Sequence, residues 1–130
     1  LSTDTYSSAF ISKDEKIAFL RKYLILPSEI SDAEYHILFW DNSGGVVPGP
    51  SDWIFRVAVK LDPAFMDEWI TDMEECPSSL IDMTWWDELA LGDPYLKVVS
   101  EPEFYKRPGS QSYHVVYRAD GVILKYICST

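Results

Sequence analysis

The sequence predicts an α+β fold: an antiparallel sheet of about four to five strands with two main helices packed on one face. Three observations carry this. Residues 113–128, YHVVYRADGVILKYIC, are two alternating runs around Asp120-Gly121, a hairpin pattern. Residues 34–41 and 53–61 are rich in strand formers. Two segments open on helix caps and continue with apolar residues at helical spacing, so the order is α-β-β-α-loop-β-β-β. At 130 residues, 47% hydrophobic and 25% charged, the chain suits a single domain over 1–130 and is not intrinsically disordered. No apolar run approaches the roughly 18 residues of a membrane span.

Residues 1–11 carry no period and read as a flexible N-terminal extension. Ser12-Lys13-Asp14-Glu15 then forms a capping box, in which the Ser12 hydroxyl accepts from the Glu15 amide. Ile17, Leu20, Tyr23 and Leu24 follow, predicting a helix over 13–24 that Pro27 ends. In the strand 53–61, Trp53, Phe55, Val57, Val59 and Leu61 share one face, and Arg56 and Lys60 the other. The intervening 41–52 holds three Gly and two Pro and reads as an ordered loop.

Asp62-Pro63 caps the second helix. Its apolar stripe is Phe65, Met66, Trp69, Ile70 and Met73, and Pro77 stops it after Cys76. A short helical turn is expected near 84–90 and a strand over 95–99, with loop over 101–112. In the final hairpin, a two-residue type I′ turn at Asp120-Gly121 would pair Tyr117 with Leu124, Val115 with Tyr126 and Tyr113 with Cys128. These side chains share an apolar face, on which the Trp69 stripe is expected to lie. That placement brings Cys76 to Cys128 and predicts a disulfide, worth on the order of 4 kcal/mol in the chain-entropy model.

A disulfide implies an oxidising compartment, hence an exported protein, periplasmic or extracellular. The chain starts at Leu1 with no signal-like segment, as expected of a chain whose leader, with or without a lipid anchor, has been removed, or of a piece of a longer chain.

The formal net charge of −10 argues against nucleic-acid binding. Residues 62–103 hold twelve acids against Lys97 alone, whereas 104–130 carry a net +3. The function read from this is a non-enzymatic binding protein, of inhibitor, immunity or envelope-associated type. It would present an acidic, Trp-flanked surface of Asp67, Glu68, Asp72, Trp85, Trp86, Asp87 and Glu88 to a basic or polymeric partner, a protein or a cell-envelope polymer. The bland alternative is a solvated face that keeps the chain soluble.

A second reading is a carbohydrate or small-ligand module. It would use exposed Trp residues, Trp40 included, and the loop of Asp41, Gly44, Gly45, Gly49, Asp52 and Trp53. That loop lacks the Lys of a phosphate loop and is flanked by two carboxylates. A third reading is a small hydrolase using His36 or His114 with nearby acids. No Gly-x-Ser-x-Gly elbow, EF-hand loop or zinc-ligand spacing is present, so no cofactor and no metal is expected. An Asp87-Glu88 acid pair would point its carboxyls about 100° apart on a helix, which does not suit a glycosidase.

Overall fold

The computed structural model describes residues 2–40, 52–90 and 96–129. They form a seven-stranded, wholly antiparallel sheet: β1 (Thr3–Tyr6), β2 (Asp32–Trp40), β3 (Asp52–Lys60), β4 (Glu74–Glu75), β5 (Glu103–Lys106), β6 (Tyr113–Tyr117) and β7 (Val122–Cys128). The spatial order is β1-β2-β3-β7-β6-β5-β4. Two meanders, β1 to β3 and β4 to β7, therefore meet where β3 pairs β7. Helix α1 (Lys13–Arg21) and helix α2 (Thr84–Ala90) complete the α+β fold.

The sheet has seven strands where four to five are expected. The additional strands, β1, β4 and β5, are short pieces at or next to the sheet edges whose sequence has no run long enough to alternate. β1 lies inside the supposedly flexible extension and pairs Tyr6 with His36. β4 is two residues that hydrogen-bond to β5, itself inside the expected 101–112 loop. Residues 96–99 form no strand; Leu96 is instead buried against the sheet.

The caps behave as expected. Ser12 Oγ accepts from the Glu15 amide at 3.1 Å, and Asp62 Oδ1 accepts from the Ala64 amide at 2.9 Å, with Pro63 in the first turn. The second helix is not an α-helix over 62–76, however, but a 3-10 helix over Pro63–Trp69. Three residues per turn aligns Met66 with Trp69, and both are buried while Phe65 faces out.

The two main helices expected, α1 and the 3-10 helix that stands for the second, do pack on one face, but the short helix α2 covers the other. On the first face, Tyr35, Ile37, Val57, Val59, Val116 and Ile123 are covered by Leu20 and Leu24 of the α1 region and by Met66 and Trp69. On the second face, Ala58, Val115, Tyr117, Val122 and Leu124 are covered by Trp85 and Trp86 of α2 and by Leu96. Trp69 thus lies against the face of the last hairpin opposite to the one expected, and the Trp85-Trp86 pair takes the expected place. Both faces of β6 and β7 are apolar enough to need cover, so alternation alone could not say which helix goes where.

This geometry removes the disulfide. Cys76 follows β4 at the sheet edge, its amide donating to the Phe104 carbonyl at 3.0 Å, while Cys128 sits on β7 opposite Ile54. β5 and β6 lie between them, a separation of about 14 Å at normal strand spacing, far beyond disulfide reach. Both residues are thiols.

The hairpin keeps its expected faces with a different register. Tyr117 pairs Val122, Val115 pairs Leu124 and Tyr113 pairs Tyr126, so residues 118–121 connect the strands. The two-residue shift preserves the side-chain faces. A type I′ turn needs two left-handed residues, but only Gly121 has positive φ here, at 70°. A Cβ on Gly121 would stand 2.5 Å from the Leu61 carbonyl oxygen, whose own amide donates to the Gly121 carbonyl at 2.8 Å. Asp120 accepts from the Val99 and Ser100 amides at 3.2 and 3.0 Å and from the Ser100 hydroxyl. Those bonds hold its carboxyl below the usual range.

Candidate functional site

Antiparallel pairing places one residue of each of the seven strands in a single row across the second face: Tyr6, His36, Arg56, Tyr126, Tyr113, Lys106 and, at the edge, Glu74. Cross-strand partners share a face, so the register alone brings these aromatic and charged side chains together. α2 covers this face beside the row and leaves a groove of about 610 Å³. Arg56, Tyr126, Tyr113 and Lys106 line its sheet side. Trp85 and Glu88 contribute from α2, and Asp82 and Gln111 from the flanking segments.

The groove is held by hydrogen bonds within its own wall. Trp85 Nε1 donates to Tyr113 Oη at 2.8 Å, and Tyr113 Oη donates to the Asp82 carbonyl. Burial pushes the Tyr113 phenol up to about 12, although the Trp85 bond opposes the shift. Tyr113 stacks on Tyr126 with ring centres 5.0 Å apart and planes 10° from parallel. Tyr113 is buried and Tyr126 half-buried. Asp82 is stapled by the Thr84 amide at 3.0 Å and the Thr84 hydroxyl at 2.8 Å, which hold its carboxyl below the usual range.

At one end of the row, Arg56 Nη1 donates to His36 Nδ1 at 3.3 Å. The proton of His36 therefore sits on Nε2, which donates to Asp4 Oδ1 at 2.7 Å. Tyr6 stacks on the imidazole at 3.9 Å. Asp4-His36 has the spacing of a catalytic dyad, but both ring nitrogens are engaged, one of them by a cation. With Asp4 and Arg56 on its two nitrogens, the His36 ring holds no hydroxyl or thiol nucleophile, so the hydrolase reading gains no chemistry here. Among the described residues, neither Arg56 nor Lys106 has a carboxylate within ion-pair distance.

His114 lies on the other face, beneath Trp69. Lys125 Nζ donates to its Nε2 at 2.9 Å, and its buried Nδ1 has no hydrogen-bond partner. The Trp69 carbonyl lies toward the ring. Burial, then the Lys125 charge, hold the imidazole well below its usual range, and burial followed by Arg107 lowers the Lys125 ammonium to about 8. The two histidines are thus on opposite faces and cannot act together.

The expected acidic surface is divided in the same way. Asp67, Glu68 and Asp72 are exposed on the first-face side, whereas Asp87 and Glu88 are exposed on α2 over the second face. Asp67 is also neutralised internally: Arg118 reaches it at 2.9 Å and Glu103 at 3.0 Å. Trp85 and Trp86 are each 8% exposed and serve as cover for the sheet, not as an open platform. Trp40 is exposed. Trp53 stacks on Phe39 in a separate apolar cleft of about 450 Å³ with Tyr23 and Phe55. Asp52 accepts from Ser129 Oγ at 3.3 Å. Asp41, Gly44, Gly45 and Gly49 lie outside the described residues.

Of the residues expected to bind, then, the groove brings together Trp85 and Glu88. Arg56, Lys106, Gln111, Tyr113 and Tyr126 were not expected. The signal for the tyrosines was present in the alternation, which put both on one hairpin face, but the two-residue register shift hid their pairing. Among the described residues, no group of three or more His, Cys, Asp or Glu side chains is placed to hold a metal, and no helix is long and apolar enough to cross a membrane. Comparison with protein-family models, with curated proteins and with solved structures finds no match to this chain.

Proposed function

We propose that the chain is a binding protein that takes a ring-bearing small ligand in the groove between α2 and β5-β6-β7. One observation carries this reading: a stacked tyrosine pair with a half-buried outer ring lines an open cleft of about 610 Å³ whose wall is held by the Trp85-Tyr113-Asp82 bonds. An aromatic face offers stacking to a sugar or an aromatic ring, and convergent polar groups offer orientation. The wall's hydrogen bonds join the chain's own groups to one another, so little ordering is needed on binding.

The test is an amide and aromatic NMR titration with phenyl β-glucoside and phenyl β-glucuronide. Saturable shifts confined to Trp85, Gln111, Tyr113 and Tyr126, reduced about tenfold in affinity by Tyr126→Ala, support the reading. Shifts elsewhere, or none with either compound, overturn it.

A further inference from the structure

We propose that the ligand of this groove carries a single carboxylate, received by Arg56 and Lys106; the inference rests on the binding reading above. The chain bears a formal charge of −10, yet two cations line one groove and neither has a carboxylate within ion-pair distance among the described residues. Lys16 meets Asp32 and Glu34 at 3.0 and 2.7 Å, and Arg118 meets Asp67 and Glu103, whereas Lys22, Lys60, Lys97, Arg107 and Lys125 share with Arg56 and Lys106 the lack of an ion pair among the described residues. What sets Arg56 and Lys106 apart is that they line this one groove.

Arg56 is not without support. A neutral imidazole, His36, accepts from it, and Asp4 holds that imidazole through its other nitrogen. An imidazole acceptor fixes the guanidinium without cancelling its charge, which a direct carboxylate partner would do. His36 and Asp4 are therefore positioning residues. One of five guanidinium donors is used on His36, which leaves enough for a two-pronged contact to a planar carboxylate. Between Arg56 and Lys106 in the row stand the stacked Tyr126 and Tyr113, where the ligand's ring would lie.

The opposite rim limits the ligand's charge. Asp82 and Glu88 line the same groove. Asp82 is ionised and occupied by Thr84, so a second negative charge on the ligand would meet like charge. Hydroxyl groups, by contrast, could donate to Glu88. A hydroxylated ring with one acid group satisfies every side of the cleft.

Phenyl β-glucoside and phenyl β-glucuronide differ only at C6, a hydroxymethyl group in the first and a carboxylate in the second, and separate this inference from the binding reading. Calorimetric titration of the intact chain at low salt is expected to give the glucuronide an advantage of about tenfold or more. Arg56→Gln should remove that advantage, Arg56→Lys should restore part of it, and added salt should narrow it. Equal affinity for the two compounds in the unaltered chain, with shifts still at Tyr113 and Tyr126, overturns the carboxylate assignment and leaves the binding reading standing. An advantage that persists in a folded Arg56→Gln chain overturns the role of Arg56. Binding of neither compound overturns both.

Discussion

His36 beside Arg56 and His114 beside Lys125 are the same device on the two faces of the sheet: an imidazole accepting from a cation across adjacent strands. Their fates differ because their cover differs. On the first face, Trp69 lies over His114 and the 3-10 helix closes the surface, so the Lys125 charge is held in a poorly solvated place and its proton affinity drops. On the second face, α2 stops short of the row and Arg56 opens onto a groove. The sealed pair burdens folding; the open pair is available to a ligand. What a cross-strand cation-imidazole pair does is therefore set by the layer above it.

The largest break in this comparison would come from removing the cover. Trp69→Ala should cost about 3–5 kcal/mol in urea unfolding, since it deletes a buried indole and its 2.9 Å bond to Ser28 Oγ. It should also raise the Lys125 proton affinity toward normal, read by NMR titration, because water would then reach the ammonium. An unchanged Lys125 titration in a folded Trp69→Ala chain would separate the lowered proton affinity from the cover.

The next effect is a pH dependence. Lys125 titrates at about 8 in the folded chain, against 10.5 ordinarily. Between these values the unfolded chain binds more protons, so stability should rise with pH from about 8 towards 10, by on the order of 1–2 kcal/mol. Below 8 the cost of the buried ammonium is fully present. Lys125→Met should abolish the rise. On the acid side His114 acts in the same sense. Its folded proton affinity is depressed, so stability should fall as pH drops below its ordinary 6.5, and His114→Gln should flatten that fall. Denaturant melts from pH 5 to 10 check both limbs.

Tyr113→Phe sharpens the comparison from the open side. It removes the acceptor of the buried Trp85 indole N–H and the donor to the Asp82 carbonyl, at about 1–2 kcal/mol. The stacked ring remains, so ligand stacking should survive while the wall loosens, which would appear as faster exchange of the Trp85 indole proton. The smallest effect is expected at Asp67→Asn. Asp67 is 84% exposed, and its pairing with Arg118 should contribute less than about 0.5 kcal/mol to thermal unfolding.

Several particular elements are legible in the amino-acid sequence. Ser12 and Asp62 act as caps because a short side-chain acceptor at a helix start does the same job in any tertiary setting. The faces of β3 and of the last hairpin follow from alternation, which even the two-residue register shift could not disturb. β1, β4 and β5 were not legible. They are two to four residues long, and their strand character comes from the neighbour each pairs with. The expected disulfide failed for the same kind of reason: it rested on which face Trp69 covers, and both faces of the hairpin are apolar. With it goes the argument it supplied for an oxidising compartment.

Local chemistry within the chain determined its caps, its alternating faces, its strongly acidic middle third and the corner at Gly121. The layer arrangement was decided in three dimensions: which helix seals which side, which cations meet carboxylates, and which seven residues fall into one row. The physical reason is range. Caps and side-chain alternation depend on neighbours a few residues away, whereas cover, pairing and register depend on segments up to a hundred residues apart competing for the same surface.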